Sequence, residues 1–113
     1  MGFRKALPQG SNIRSINVIS NEIIQIEYNI GEKDSSFRAG KEVENISGDY
    51  NEYKINKSIE VNKVNVNLKG NKDTIVNLAT WEKDSISYSI SSKSGIDDET
   101  ILNMIKSSLE NNN

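Results

Sequence analysis

The stretch that decides the fold is Ser85-Ile86-Ser87-Tyr88-Ser89-Ile90-Ser91, followed after a short polar interval by Asp97-Asp98-Glu99-Thr100-Ile101-Leu102-Asn103-Met104-Ile105-Lys106-Ser107-Ser108-Leu109. The first part alternates apolar and polar residues with period two, which predicts a strand with a buried face and a wet, serine-lined face. The second part changes period, placing Ile101, Leu102, Met104, Ile105 and Leu109 on one face of a helix. Asp97 suits the N-cap, Asp98 and Glu99 put negative charge in the first turn, and Ile96 is placed to staple against Ile101. About three helical turns are marginal alone in water, so this helix must dock on the sheet.

Upstream the period stays at two. Ile16 and Val18 form one strand and Ile24, Ile26, Tyr28 and Ile30 the next, with Phe37 and Ala39 marking a shorter third. Ile59 and Val61, then Val64, Val66 and Leu68, flank Asn62-Lys63, a two-residue turn whose Asn tolerates the positive φ of a tight hairpin. After the turn Gly70-Asn71-Lys72-Asp73 comes a run from Ile75 to Trp81 that is apolar on both alternation classes, as expected of a central strand. Trp81 and Tyr88, on adjacent strands, read as a core pair across the sheet.

These elements predict an α+β fold: a twisted, mainly antiparallel sheet of six or seven strands with one C-terminal helix packed on a face. The 113 residues suit a single domain, with an extended N-terminal segment at 1–12, the sheet at 13–91, the helix at 97–109 and a tail at 110–113. Composition agrees, since the chain holds 16 Ile and 6 Val against 5 Leu, and β-branched side chains suit pleated strands.

Composition also narrows the chemistry. The chain has no histidine and no cysteine, which removes Ser-His-Asp and Cys-His arrangements and the thiolate or imidazole zinc sites. No cofactor motif is present. Net charge is -2 and no concentrated basic face is visible, so a nucleic-acid partner is not expected. The apolar runs are far shorter than the roughly 20 residues a membrane-spanning helix needs, and Met1-Gly2-Phe3-Arg4-Lys5 lacks the apolar core of a signal peptide.

One stretch, Lys41 to Lys54, has no periodicity. Within it Ser47, Asp49, Tyr50, Asn51 and Tyr53 are the candidate binding residues, because a loop this long in a small domain, here carrying two tyrosines, is often functional. Asp49, Asn51 and Glu52 supply oxygen ligands at close spacing but lack the twelve-residue calcium-loop pattern, so no metal site is assigned.

Several segments together resemble a known family. Leu7-Pro8-Gln9-Gly10, Ile46-Ser47-Gly48-Asp49-Tyr50-Asn51-Glu52-Tyr53, Val66-Asn67-Leu68-Lys69-Gly70-Asn71, Asn77-Leu78-Ala79-Thr80-Trp81 and Ser87-Tyr88-Ser89-Ile90 are similar to domain-of-unknown-function family 4367, found mainly in clostridia and their relatives. The similarity covers nearly the whole chain. It departs from the family where Ser11 and Asn12 stand in place of the aromatic that commonly follows Pro-x-Gly. The resemblance implies an extracytoplasmic location, secreted or at the cell surface, and supplies no catalytic residues.

With the missing catalytic groups, it leads to the expectation of a non-enzymatic extracytoplasmic binding or sensing module of a bacterial envelope or secreted protein. Its partner would be a protein, a peptide or an envelope component. The alternatives are a structural domain that self-associates through a sheet edge, and a hydrolase working with carboxylates alone.

Overall fold

The computed structural model describes residues 11–19, 23–30, 33–41 and 52–110. They form seven strands and one helix: β1 (Ser11–Ile19), β2 (Ile23–Ile30), β3 (Lys33–Lys41), β4 (Ile55–Val61), β5 (Val64–Gly70), β6 (Ile75–Lys83), β7 (Ile86–Asp97) and α1 (Asp98–Glu110). All strands lie in one antiparallel sheet of order β1-β2-β3-β7-β6-β5-β4. Two meanders, β1 to β3 and β4 to β7, meet where β7 returns beside β3. The α+β architecture with a helix at the C-terminal end packed on a face is as the periodicity implies.

Local chemistry explains the turns. Asn62 and Lys63 both have positive φ (48° and 69°), the backbone of the twisted two-residue hairpin turn that joins β4 to β5. Asp84 and Ser85 repeat it between β6 and β7 with φ of 54° and 67°, so Ser85 belongs to a turn rather than to the alternating strand. At the start of α1, Asp97 Oδ2 accepts the Thr100 amide at 3.0 Å and the Thr100 hydroxyl also donates to the Asp97 carboxylate, completing the N-cap. The Asp98 amide donates to the Thr74 carbonyl at 3.0 Å, tying the helix start to the β5–β6 connection.

One face of the sheet carries the core. Rows of paired residues run across the strands: Ile26, Phe37, Ile90, Ala79 and Leu68 in one, and Ala39, Tyr88, Trp81 and Val66 in the next. Ile101, Met104, Ile105 and Leu109 of α1 are buried in the same cluster, with the helix packed on β4, β6 and β7. Trp81 and Tyr88 stack with centroids 5.4 Å apart and planes 10° apart, and Phe37 meets both at 6.3 and 6.2 Å.

The structure corrects the sequence reading in four places. The third strand is nine residues long, not short. The sheet begins at Ser11 and β7 continues to Asp97, well past residue 91. The serines of β7 do not form a wet face: Ser87 is 6% exposed and Ser89 1%. β7 is a central strand, so Ser89 lies between Arg38 and Thr80 rather than at an edge. Finally, Val76 shares the core with Ala79 and Trp81, because a register shift between Val76 and Leu78 breaks the alternation.

Tyr28 is fully buried, and neither its Oη nor the nearby Ser35 Oγ on β3 has a hydrogen bond of good geometry. Burial pushes the Tyr28 phenol well above its ordinary value, an effect only partly countered by the Ser35 hydroxyl.

Two outcomes follow from this core. Ile105→Ala removes a side chain that is 0% exposed, and a loss of about 2–5 kcal/mol is expected; a denaturation midpoint equal to that of the parent protein would contradict the packing. Tyr28→Phe deletes a buried hydroxyl without a partner and is expected to stabilise by about 1 kcal/mol. Because the native state keeps a proton that the unfolded chain releases near its ordinary pKa of about 10, ionisation of Tyr28 leaves stability unchanged below that pH and lowers it progressively as pH rises from there towards the raised native value. Chemical denaturation between pH 8 and 11 should show a shallower decline in the Phe variant.

Candidate functional site

Two register shifts shape the same region. In β1 the pairing with β2 slips between Ile13 and Ser15, at Arg14. In β6 and β7 it slips where Val76 pairs with Ile96 but Leu78 pairs with Ser91, so that residues 92–95 stand out opposite Asn77. Such bulges bend a strand and re-aim its side chains. The second one is fixed from both flanks. Asn77 Nδ2 donates to the carbonyls of Ser92 (3.0 Å) and Lys93 (3.1 Å). Gly95 has a φ of 85°, and a Cβ there would overlap the Ile75 side chain, so only glycine fits without strain.

Between the bulges lies an open cleft of about 420 Å³. Part of its lining is the row Glu27, Ser36 and Ser91 on the face of the sheet away from α1, with Asn77 beside it. Arg14 and Asp34 stand on the β1–β3 side, Lys93 on the bulge and Tyr53 just before β4. Among the described residues the charged lining is balanced, with two basic and two acidic side chains.

The polar groups are interlocked. Arg14 Nη1 pairs with Asp34 Oδ1 at 3.0 Å, both side chains more than half exposed, so the pair adds little to stability and its charges stay available to a ligand. The Glu27 carboxylate accepts the Ser15 hydroxyl (3.2 Å) and Gln25 Nε2 (3.0 Å). Gln25 Oε1 in turn accepts Arg38 Nε at 2.6 Å. Glu27 is therefore held in one orientation by a hydrogen-bonded chain that crosses three strands. Ser15 donates directly to a carboxylate with no imidazole between them, and an unassisted hydroxyl of this kind is not activated as a nucleophile.

Of the residues singled out in the sequence, Ser47, Asp49, Tyr50 and Asn51 lie outside the described residues. Tyr53 is half-buried and lines the cleft. Arg14, Glu27, Asp34, Asn77 and Lys93 were not recognisable as site residues, since only the strand order brings them together. Among the described residues no group of three or more acidic side chains is placed to hold a metal ion, and no helix is long and apolar enough to cross a membrane. Comparison with protein-family models, curated proteins and solved structures finds no match.

Asn77→Ala leaves two carbonyls of the bulge without their side-chain donor. A loss of about 1–3 kcal/mol, with faster amide exchange confined to residues 92–95, is expected; unchanged exchange there would show that the bulge holds its shape without Asn77.

Proposed function

We propose that this chain is a non-enzymatic binding module whose cleft takes a polar, peptide-like segment of a partner protein or envelope component. The observation that carries this reading is the cleft itself. Its charges are of both signs, its hydroxyl and amide groups come from adjacent strands, and its position is fixed by two bulges. A segment of peptide presents the complementary groups, backbone donors and acceptors beside side chains of either charge. Sites built on strands hold such groups more precisely than sites on loops. Among the described residues the lining carboxylate Glu27 is already committed to Ser15 and Gln25, which favours binding over catalysis.

An extracytoplasmic setting and membership of domain-of-unknown-function family 4367 belong to the same proposal. They rest on the segments Ser47-Gly48-Asp49-Tyr50-Asn51 and Asn77-Leu78-Ala79-Thr80-Trp81. The second of these contains Asn77, the residue that pins the cleft wall.

The test is a heteronuclear NMR titration of isotopically labelled protein with a pool of short mixed-charge peptides and, separately, with soluble cell-wall fragments. Shifts are expected to cluster at Ser36, Ser91, Ser92 and Lys93, and Lys93→Glu combined with Asp34→Lys should abolish them without altering the fold. No shift at millimolar probe, shifts elsewhere on the sheet, or hydrolysis of the probe would each overturn the reading.

A further inference from the structure

We infer that the chain pairs with a second copy of itself through β1, the two β1 strands running antiparallel about a two-fold axis at Asn17. Among the described residues β1 and β4 form the two edges of the sheet, and they differ in chemistry. The β4 edge carries Lys57 and Glu60 with exposed Asn56 and Ser58, the charged and polar dressing that keeps an edge from recruiting another strand. The stretch Ser15-Ile16-Asn17-Val18-Ile19 of β1 has no charge at all. Within it Ile16 is 56% and Val18 67% exposed, and these are the most exposed large hydrophobic side chains among the described residues.

Both side chains stand on the core-bearing face of the sheet, because Ile16 pairs with Ile26 and Val18 with Ile24. They are thus the outer ends of two apolar rows that stop at the sheet edge. A two-fold axis at Asn17 places Ile16 opposite Val18 of the partner subunit and Val18 opposite Ile16 of the partner subunit. Each row then runs on without a break from Ile26 or Ile24 of one copy into the other. No like charges meet: the two Arg14 side chains fall six residues apart along the pairing, about 20 Å at the usual rise per residue, beyond the screening length at physiological salt. The contact is isologous and uses one edge from each chain, so the polar β4 edges end the assembly at two copies.

The chain has no native cysteine, so an Asn17→Cys variant reports directly on the axis. Directly opposed Cα atoms in antiparallel strands lie about 4.5–5.5 Å apart, within the range that a disulfide bridges. Under mild oxidation Asn17→Cys should give a disulfide-linked dimer, while Ser58→Cys on the opposite edge stays monomeric. In sedimentation equilibrium the parent protein should move with concentration from 12.6 kDa towards twice that mass. The Ile16→Lys, Val18→Lys double variant, whose retained fold is checked by its melting curve, should remain at the lower mass. A parent protein monomeric at millimolar concentration, equal cross-linking of Ser58→Cys, or a mixed disulfide between Asn17→Cys and Ser58→Cys chains, the mark of head-to-tail growth, would each overturn the inference.

Discussion

The stacked pair of Trp81 on β6 and Tyr88 on β7, with Phe37 of β3 against both, holds the molecule together. The three rings straddle the seam where the second meander closes on the first. Without the β3–β7 ladder from Ser35–Ser92 to Lys41–Ile86, the chain would be two separate antiparallel sheets of three and four strands, and the core rows that run from Ile26 to Leu68 would be cut in two. Aromatic side chains supply most area per residue at such a junction, and their edge-to-face and stacked geometry adds directional preference. The long-range character of this seam follows from topology, since β7 is last of the strands in sequence and central in space.

Much of this was legible because it is local. The turn at Asn62-Lys63, the N-cap at Asp97 and the alternation of β2, β5 and β7 are fixed by neighbours a few residues away. The cross-strand pairing of Trp81 with Tyr88 also follows, because a two-residue turn sets the register of its hairpin. Burial was less legible. The serines of β7 read as a wet face from their polarity, but exposure depends on what stands on the adjacent strands, and Arg38 and Thr80 flank Ser89.

The cleft shows why sites are harder to read than folds. Its charged residues come from β1, β2, β3 and β7, and no spacing in the chain relates them. A signal was nevertheless present in the odd spacing of apolar residues on one face. Ile13 and Ile16 are three apart, as are Val76 and Ala79, and an unbroken strand cannot place such a pair on the same side. Each pair does lie on the core-bearing face of the sheet, and each spans a register shift that borders the cleft. An odd step within an alternating strand therefore marks where a backbone has been bent to re-aim a polar side chain.

Ile75 links that bend to the stability of the whole. A Cβ at Gly70 of β5 would overlap its carbonyl oxygen, and one at Gly95 of β7 its side chain, so β6 is squeezed between two strands that must both lack side chains at this level. Close approach on both flanks fixes where β7 regains its pairing, at Ile96 and Asp97, after an excursion in which Lys93 and Ser94 are exposed while Ser92 and Gly95 stay buried. The excursion that forms one wall of the cleft ends against Ile75, while Asn77 fixes where the carbonyls of Ser92 and Lys93 point. Shape at the site and closure of the sheet thus meet at one residue, and a side chain added at Gly70 or Gly95 would disturb both.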